Sequence, residues 1–589
     1  MRAPGTRWRQ VESVTVVLGC LLAAGVALTV TSLTGADVRR IGSYGLVSAL
    51  PLGAIGGLAI MAASFFAALA VRRPSSPLLL ANVVALAATL AAAPYLVEGV
   101  ARFGTAYTHA GFVEAIQRTG HTFPGIDARF SWPGFFAAAA MALAAAGATD
   151  PRTLLAWAPV VVDLLFIAPL WMILRALVPD VRVRWLALWL FFVANWVGQD
   201  YFAPQAFGYL AYLTVLAVLL TWFRPRVATP MPAWLGRADR ALSGGRPEPE
   251  PPSEDLHGRV GAGLFAAVLV LVAATVVSHQ LTPFMLLIAV SALVAMGRCS
   301  LRGLPVLVAV GTAAWISYAA VAFWSGHLDD LFGSIGRVGS TVSTSVSARI
   351  VGTQAHRNVL LLRLALAAAL WGLAALGAWR LRRSGHGVTT LVLLALAPFP
   401  VLALQSYGGE VLLRVYLFAL PAVAALAAYA VAPRKTQDGA RVTSAALLGS
   451  VLLATFWVAR YGNEQFESTR PGELAAVDWV YANTPVGTSL FALTNNVPWR
   501  YRSLERYDYV TSTDPLVDAA TLAGRMRDAG PSSLLVITAS QVADAQISYG
   551  QPADFAARAV ARLDASGDLR LVYSNLDARV YALSSTGER

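Results

Sequence analysis

The chain has 589 residues, of which 57% are hydrophobic and only 13% charged, and its mean hydropathy is +0.60. Soluble domains carry about a quarter charged residues, so this composition excludes an ordinary soluble fold and points to a polytopic membrane protein whose first partner is the lipid bilayer. The net charge of +12 reads as the Lys/Arg excess of cytoplasmic loops, and no nucleic-acid partner is expected.

Taken from the N-terminus, Arg2, Arg7 and Arg9 precede an apolar run over 13–33. It is long for a signal sequence and lacks a small-x-small cleavage site, so it reads as a retained span. Cys20 and Cys299 fall in or beside apolar segments and form neither a disulfide framework nor a metal pattern. If 13–33 leaves the cytoplasm, 46–71 returns to Arg72 and Arg73, and 78–95 leaves again. The stretch 98–136 is then outside.

The alanine-rich segment 132–149, bounded by Pro133 and Asp150-Pro151, is apolar enough to resemble a span. Parity decides against it. If it crossed, every later basic cluster would lie outside; as an interfacial or re-entrant helix it leaves them inside. The spans that follow are 154–177, 185–197, 207–223, 260–277, 283–296, 304–324, 359–379, 388–404, 411–431 and 444–458. Arg182 with Arg184, Arg298 with Arg302, Arg380 with Arg382 and Arg383, and Arg434 with Lys435 then share one side.

The expected fold is therefore an α-helical polytopic membrane protein of about 13 transmembrane helices, with a small extracytoplasmic α/β domain at the C-terminus. Residues 1–459 form the membrane domain, with a large outer loop at 96–152 and a cytoplasmic linker at 224–259; residues 460–589 form the α/β domain. Within the linker, 225–258 is proline-rich and charged around PEPEPPSED, and reads as disordered. In the last segment PGELAAVDWVYANTP and DFAARAVARL read as helices, and GTSLFAL, SSLLVIT, LRLVYSN and ARVYALS as strands.

Three short polar turns and the large loop converge on the outer face, and ionisable residues at that depth are functional candidates. The first turn carries Asp200 and Gln205, the second His279 and Gln280, and the third Glu410 followed by Arg414. Each has a plainer reading: Glu410 and Arg414 as an i,i+4 pair, His279 as a helix-end residue, Asp200 as a cap. A lipid phosphate needs a fixed cation with planar donors, which Arg414 supplies. An acceptor hydroxyl needs a carboxylate or imidazole base, for which Glu98, His109, Glu114 and Asp127 are the available groups. Phe103, Tyr107, Phe112, Phe123, Phe130 and Trp132 supply stacking faces for sugar rings, or an interfacial aromatic belt.

The segments YTHAGFVEAIQRTG, DARFSWPGFF, QDYFAPQAFGYL, SHQLTPF and YGGEVLLRVYLFALP, with the many spans, the large acidic outer loop and the terminal α/β domain, resemble the GT-C superfamily of integral-membrane glycosyltransferases and membrane proteins of high-GC actinobacteria grouped near it. The resemblance implies a polyprenyl-phosphate sugar donor, an extracytoplasmic cell-envelope glycan, lipid or protein acceptor, inversion at the anomeric carbon, a base in the first large outer loop, and a plasma-membrane location. The superfamily's adjacent acidic pair directly after the first span is absent here, and two additional spans precede the loop. Glu98 lies closest to the expected position; Glu114 sits in a short helix after His109; Asp127 has Arg129 as an alternative partner.

The loop 325–357 contains His327, Asp329, Asp330 and a Ser/Thr/Gly-rich centre, a candidate cover in which Asp329-Asp330 reads either as a divalent-cation site or as a cap or solvated surface. A divalent cation is thus the one candidate cofactor. Trp499, Arg500 and Arg502 read as glycan contacts or as core and surface residues. Two competing classes stay open: a flippase of lipid-linked saccharide, which would favour inverted repeats and midplane sites, and a non-catalytic envelope-assembly protein.

Overall fold

The apolar runs fold as helices because no water is present at membrane depth to satisfy backbone groups, so each segment must pair its own N–H and C=O. The computed structural model describes residues 4–225, 231–245, 258–325, 343, 350–403, 409–432, 439–511 and 519–584. Nine helices among the described residues are long and apolar enough to cross a membrane. They are α1 (Pro4–Thr34), α2 (Leu52–Ala70), α3 (Ser76–Glu98), α6 (Ala158–Leu177), α8 (Pro204–Trp222), α10 (Arg259–Ser278), α13 (Gln354–Arg383), α15 (Val411–Val431) and α16 (Gly439–Tyr461). The other expected spans fall on shorter apolar pieces: α7 (Val181–Ala194), α11 (Thr282–Ala295), α12 (Leu304–Ala314, running on through Trp315–Ala319) and α14 (Thr389–Leu396). The expected count is therefore not reproduced by helix length.

Helix α15 is the axis of the bundle: 83% of its central window is buried, against 22% for α1, α10 and α13, which lie at the periphery. It packs on α7 and α13. Tyr209 of α8 donates to the Leu417 carbonyl (2.9 Å) and Tyr416 to the Ala194 carbonyl (2.8 Å), so these two buried hydroxyls tie α15 to α8 and α7. Trp189 of α7 packs between Phe65 and Phe66 of α2, at 5.6 and 5.1 Å.

The alanine-rich segment is helix α5 (Gly134–Ala145), 12 residues long and so about 18 Å, well short of a membrane crossing. It packs between α4 (Gly104–Thr119) and α10. The linker differs from the expectation of uniform disorder: residues 233–243 form an amphipathic helix, α9 (Ala233–Ser243).

After α16 the chain makes the single turn α17 (Glu464–Glu467), then α18 (Pro471–Asn483), and enters a five-stranded sheet. Its order is β2-β1-β3-β5-β4, with β1 (Ser489–Ala492) parallel to β2 (Asp508–Thr511) and β3 (Leu534–Thr538), and β5 (Ala578–Leu583) antiparallel to β3 and β4 (Leu569–Ser574). Strand β3 is buried along its length because helices cover both faces, which is why LLVIT is continuously apolar. Helices α19 (Ala519–Ala529), α20 (Ala539–Ile547) and α21 (Phe555–Ala565) complete the domain.

Candidate active site

Helix α4 is the element around which the candidate site is built. Gly120 ends it in the left-handed region (φ 72°), donating its N–H to Ile116 O, a conformation that glycine adopts without strain. Most of the helix is buried, since the membrane bundle covers one side and the sheet domain the other. Gly111 faces the Arg500 carbonyl of the sheet domain with no room for a Cβ. Around it Glu114 accepts from Ser503 N–H (3.1 Å) and pairs with Arg118 (2.8 Å), and Arg118 reaches Glu505 (2.7 Å). Arg500 and Ser503 themselves sit at φ 65° and 43°, a strained conformation for residues with side chains.

On the bundle side of α4, His109 is buried and its Nδ1 lies 2.9 Å from the Phe202 carbonyl. A carbonyl only accepts, so Nδ1 carries the proton and Nε2 keeps its lone pair. Burial, reinforced by the Arg129 charge, lowers the imidazole to about 3, against the weaker pull of the Phe202 bond and Asp127; the ring is neutral at pH 7. Tyr201 lies parallel to it at 5.8 Å and Phe136 at 5.5 Å. His279 closes α10 through its backbone N–H on Thr275 O (3.2 Å), while its Nδ1 accepts from Thr282 N–H (3.2 Å) and lies 2.8 Å from Thr282 Oγ1, so the side chain caps the start of α11 and not the end of α10. It too is lowered to about 3, by burial first and then by Arg414 and His109. The charges of Arg414 and His109 thus both reach the His279 ring. Arg414 is buried and bonds Glu410 at 2.7 Å, the i,i+4 pair anticipated.

Asp127 bonds the Arg129 backbone N–H (3.0 Å) and guanidinium (2.9 and 2.7 Å) and faces Arg500 at 3.6 Å. Burial works to raise this carboxyl, but the Arg129 hydrogen bonds and charge outweigh it and hold it low. Gln205, in the first turn of α8, and Gln280, just before α11, are half-buried.

Glu98 and Asp200 go elsewhere. Glu98 accepts from Ser468 Oγ, and Asp200 is clamped by Arg460 Nη2 at 2.6 and 2.7 Å. Beside them Arg102 bonds both oxygens of Glu464 (2.8 Å), Glu467 (2.8 Å) and the Arg460 carbonyl (2.9 Å). Arg363 reaches Glu467 at 3.6 Å, and His356 bonds Asn463 at 3.1 Å. Burial pushes Glu464 up to about 7, with Arg102 opposing it. This second network joins the ends of α3, α13 and α16 to the sheet domain. Of its members Arg102, Arg460 and Glu464 had no distinguishing sequence signal beyond being charged near the ends of apolar runs, and Asp163 of α6, buried with Oδ1 lacking a partner, had only its place inside one.

Among the described residues no group of three or more His, Cys, Asp or Glu converges to hold a metal; Asp329 and Asp330, with His327, lie outside the described residues. Trp499 is buried in the core beneath α4.

No family model matches the chain, and no curated protein matches it. Solved structures do. The apo oligosaccharyltransferase of Archaeoglobus fulgidus is 14% identical, with a TM-score of 0.46 over 86% of this chain and 75% of that one. The oligosaccharyltransferase AglB from Archaeoglobus fulgidus, in complex with an inhibitory peptide and a dolichol-phosphate, is 13% identical, with a TM-score of 0.45 over 87% of this chain and 75% of that one. ArnT from Cupriavidus metallidurans bound to undecaprenyl phosphate is 12% identical, at 0.43 over 87% and 98%. At these scores nothing about donor, acceptor or reacting residues follows from them.

Proposed function

We propose that the protein is a membrane glycosyltransferase that moves a sugar from a polyprenyl-phosphate donor to an extracytoplasmic cell-envelope acceptor. The observation that carries this reading is the burial of three groups, His109 on α4, His279 at the end of α10 and Arg414 on α15, whose charges influence one another. It joins a phosphate-binding cation to a neutral base in one water-poor place. The sequence's resemblance to GT-C glycosyltransferases supports the same reading.

In this reading Arg414 binds the donor phosphate, and His279 lies beside it with a proton on Nε2. The acceptor hydroxyl attacks the anomeric carbon as the bond from that carbon to the phosphate oxygen breaks. The electron pair leaves with the polyprenyl phosphate, and the hydroxyl proton passes to His109 Nε2. Burial keeps the imidazoles low and the positive field of Arg129 and Arg414 adds to it; an arriving phosphate counters that field, so donor binding itself strengthens the base. Asp127, held by Arg129, tempers that field; Glu114 and Glu98 hold the sheet domain over the site. Gln205 and Gln280 supply amides near the donor and acceptor.

Titrating undecaprenyl phosphate into the purified protein tests the donor half. Arg414→Ala is expected to weaken binding about 10- to 100-fold, since a hydrogen bond to a charged group contributes about 1.5–3 kcal/mol. Equal affinity in wild type and Arg414→Ala would overturn the assignment.

A further inference from the structure

The opposite end of the bundle carries a surface that the transfer reaction does not use. Helix α9 turns Leu235, Gly236, Asp239, Leu242 and Ser243 toward the protein, while Trp234, Arg237, Ala238, Arg240 and Ala241 are exposed. Trp234 is 62% exposed, although a large aromatic with a free choice of face is normally buried. The helix is fixed in place: Asp239 bonds Arg298 at 2.9 Å, and α9 packs on α14.

Its surroundings are the ends of spans. Arg224 follows α8, Arg298 and Arg302 follow α11, and Arg382 and Arg383 close α13. Ser300 N–H donates to Phe223 O (2.7 Å), tying two of those ends together. Arg302, Arg382 and Arg383 are exposed, as are Arg237 and Arg240. Asp239 is the only acidic residue described within α9, and it is already paired with Arg298. An exposed tryptophan flanked by arginines, on a helix held level with span ends, matches the headgroup layer of a bilayer, where an indole ring sits at the interface and guanidinium groups meet lipid phosphates.

We infer that α9 and the arginines around it form a binding surface for anionic phospholipid headgroups of the leaflet at this end, with Trp234 set into the interface and Arg237 and Arg240 on the phosphates. The fit is by charge and depth, so phosphatidylglycerol is the natural probe and phosphatidylcholine the control. The surface is independent of the donor site and stands whether or not the protein transfers sugar.

The test uses the full chain in phosphatidylcholine nanodiscs, titrated with phosphatidylglycerol and read by native mass spectrometry. Arg237→Gln with Arg240→Gln is expected to lower the apparent affinity about 30-fold, from about fivefold for each arginine near an anionic surface, whereas Arg558→Gln with Arg562→Gln in the sheet domain leaves it unchanged. Hydrogen exchange of the wild type provides a second reading that needs no variant: amides of 233–243 become protected when phosphatidylglycerol is included. Equal affinity in the α9 and sheet-domain variants, or exchange over 233–243 that ignores phosphatidylglycerol, would overturn the inference. So would a basic face that retains single-stranded RNA or an acidic polypeptide in preference to the lipid.

Discussion

Removing Arg102 puts the junction between bundle and sheet domain to its hardest test. The guanidinium is nearly buried, and the Glu464 side chain beneath it is wholly so, at 2.7 Å. Arg102→Met leaves that carboxylate with no cation at hydrogen-bond distance, while Glu467 keeps Arg363 at 3.6 Å. Breaking one side of a buried pair costs about 3–5 kcal/mol, because the remaining charge stays desolvated. Adding Glu464→Gln removes that charge, and the double variant is expected to regain all but about 1–2 kcal/mol, the residue being the hydrogen bonds from Arg102 to Glu467 and the Arg460 carbonyl. The assay is equilibrium unfolding of wild type, both single variants and the double variant in one detergent, arranged as a double-mutant cycle. A loss below about 1 kcal/mol in Arg102→Met, or a double variant no better than the single, would refute the claim that this pair is a buried ion pair on which the junction depends.

Other outcomes follow from individual contacts. Gly111→Ala drives a methyl group into the Arg500 carbonyl and is expected to cost about 1–3 kcal/mol and to speed proteolysis between 495 and 506; unchanged stability would mean that α4 and the sheet domain do not meet there. Glu473 is buried and pushed up to about 7, by burial against the hydrogen bonds from Ser540 and Arg470 N–H. A raised carboxyl contributes stability that is present below its unfolded value and lost as pH rises through the folded one, so wild type should lose up to about 3 kcal/mol relative to Glu473→Gln between pH 4.5 and about 7; parallel pH profiles would contradict this. His109→Gln should abolish transfer while leaving undecaprenyl phosphate binding within about twofold, as measured by transfer and binding assays on one preparation; a parallel loss of binding would make it a structural residue.

Much of the bundle was legible because its signal is local. Apolar runs gave helices, and parity argued against a crossing at 132–149, where the structure has a helix of only 12 residues. The i,i+4 pair of Glu410 and Arg414 and the Asp127–Arg129 pair were readable from spacing alone. Which of the polar residues pair was not readable: Asp200 joins Arg460, which is 260 positions away. Pairings at such separation leave no mark in a single sequence. Strand β2 was missed because its four residues are half-exposed and lack a continuous apolar run. The left-handed turns at Arg500 and Ser503 carry no glycine to announce them. Helix α9 was hidden by the proline-rich composition on either side of it.

The most direct measurement is transfer of labelled sugar from polyprenyl-phosphate donors to envelope acceptors by the purified protein reconstituted in liposomes, comparing wild type, His109→Gln, Arg414→Ala and Arg237→Gln. Donor-dependent transfer is expected in wild type and Arg237→Gln, none in His109→Gln, and a donor requirement raised by about 10-fold or more in Arg414→Ala. Movement of the intact lipid-linked sugar across the bilayer, with no sugar released from its phosphate for any donor, would contradict this expectation and identify a flippase.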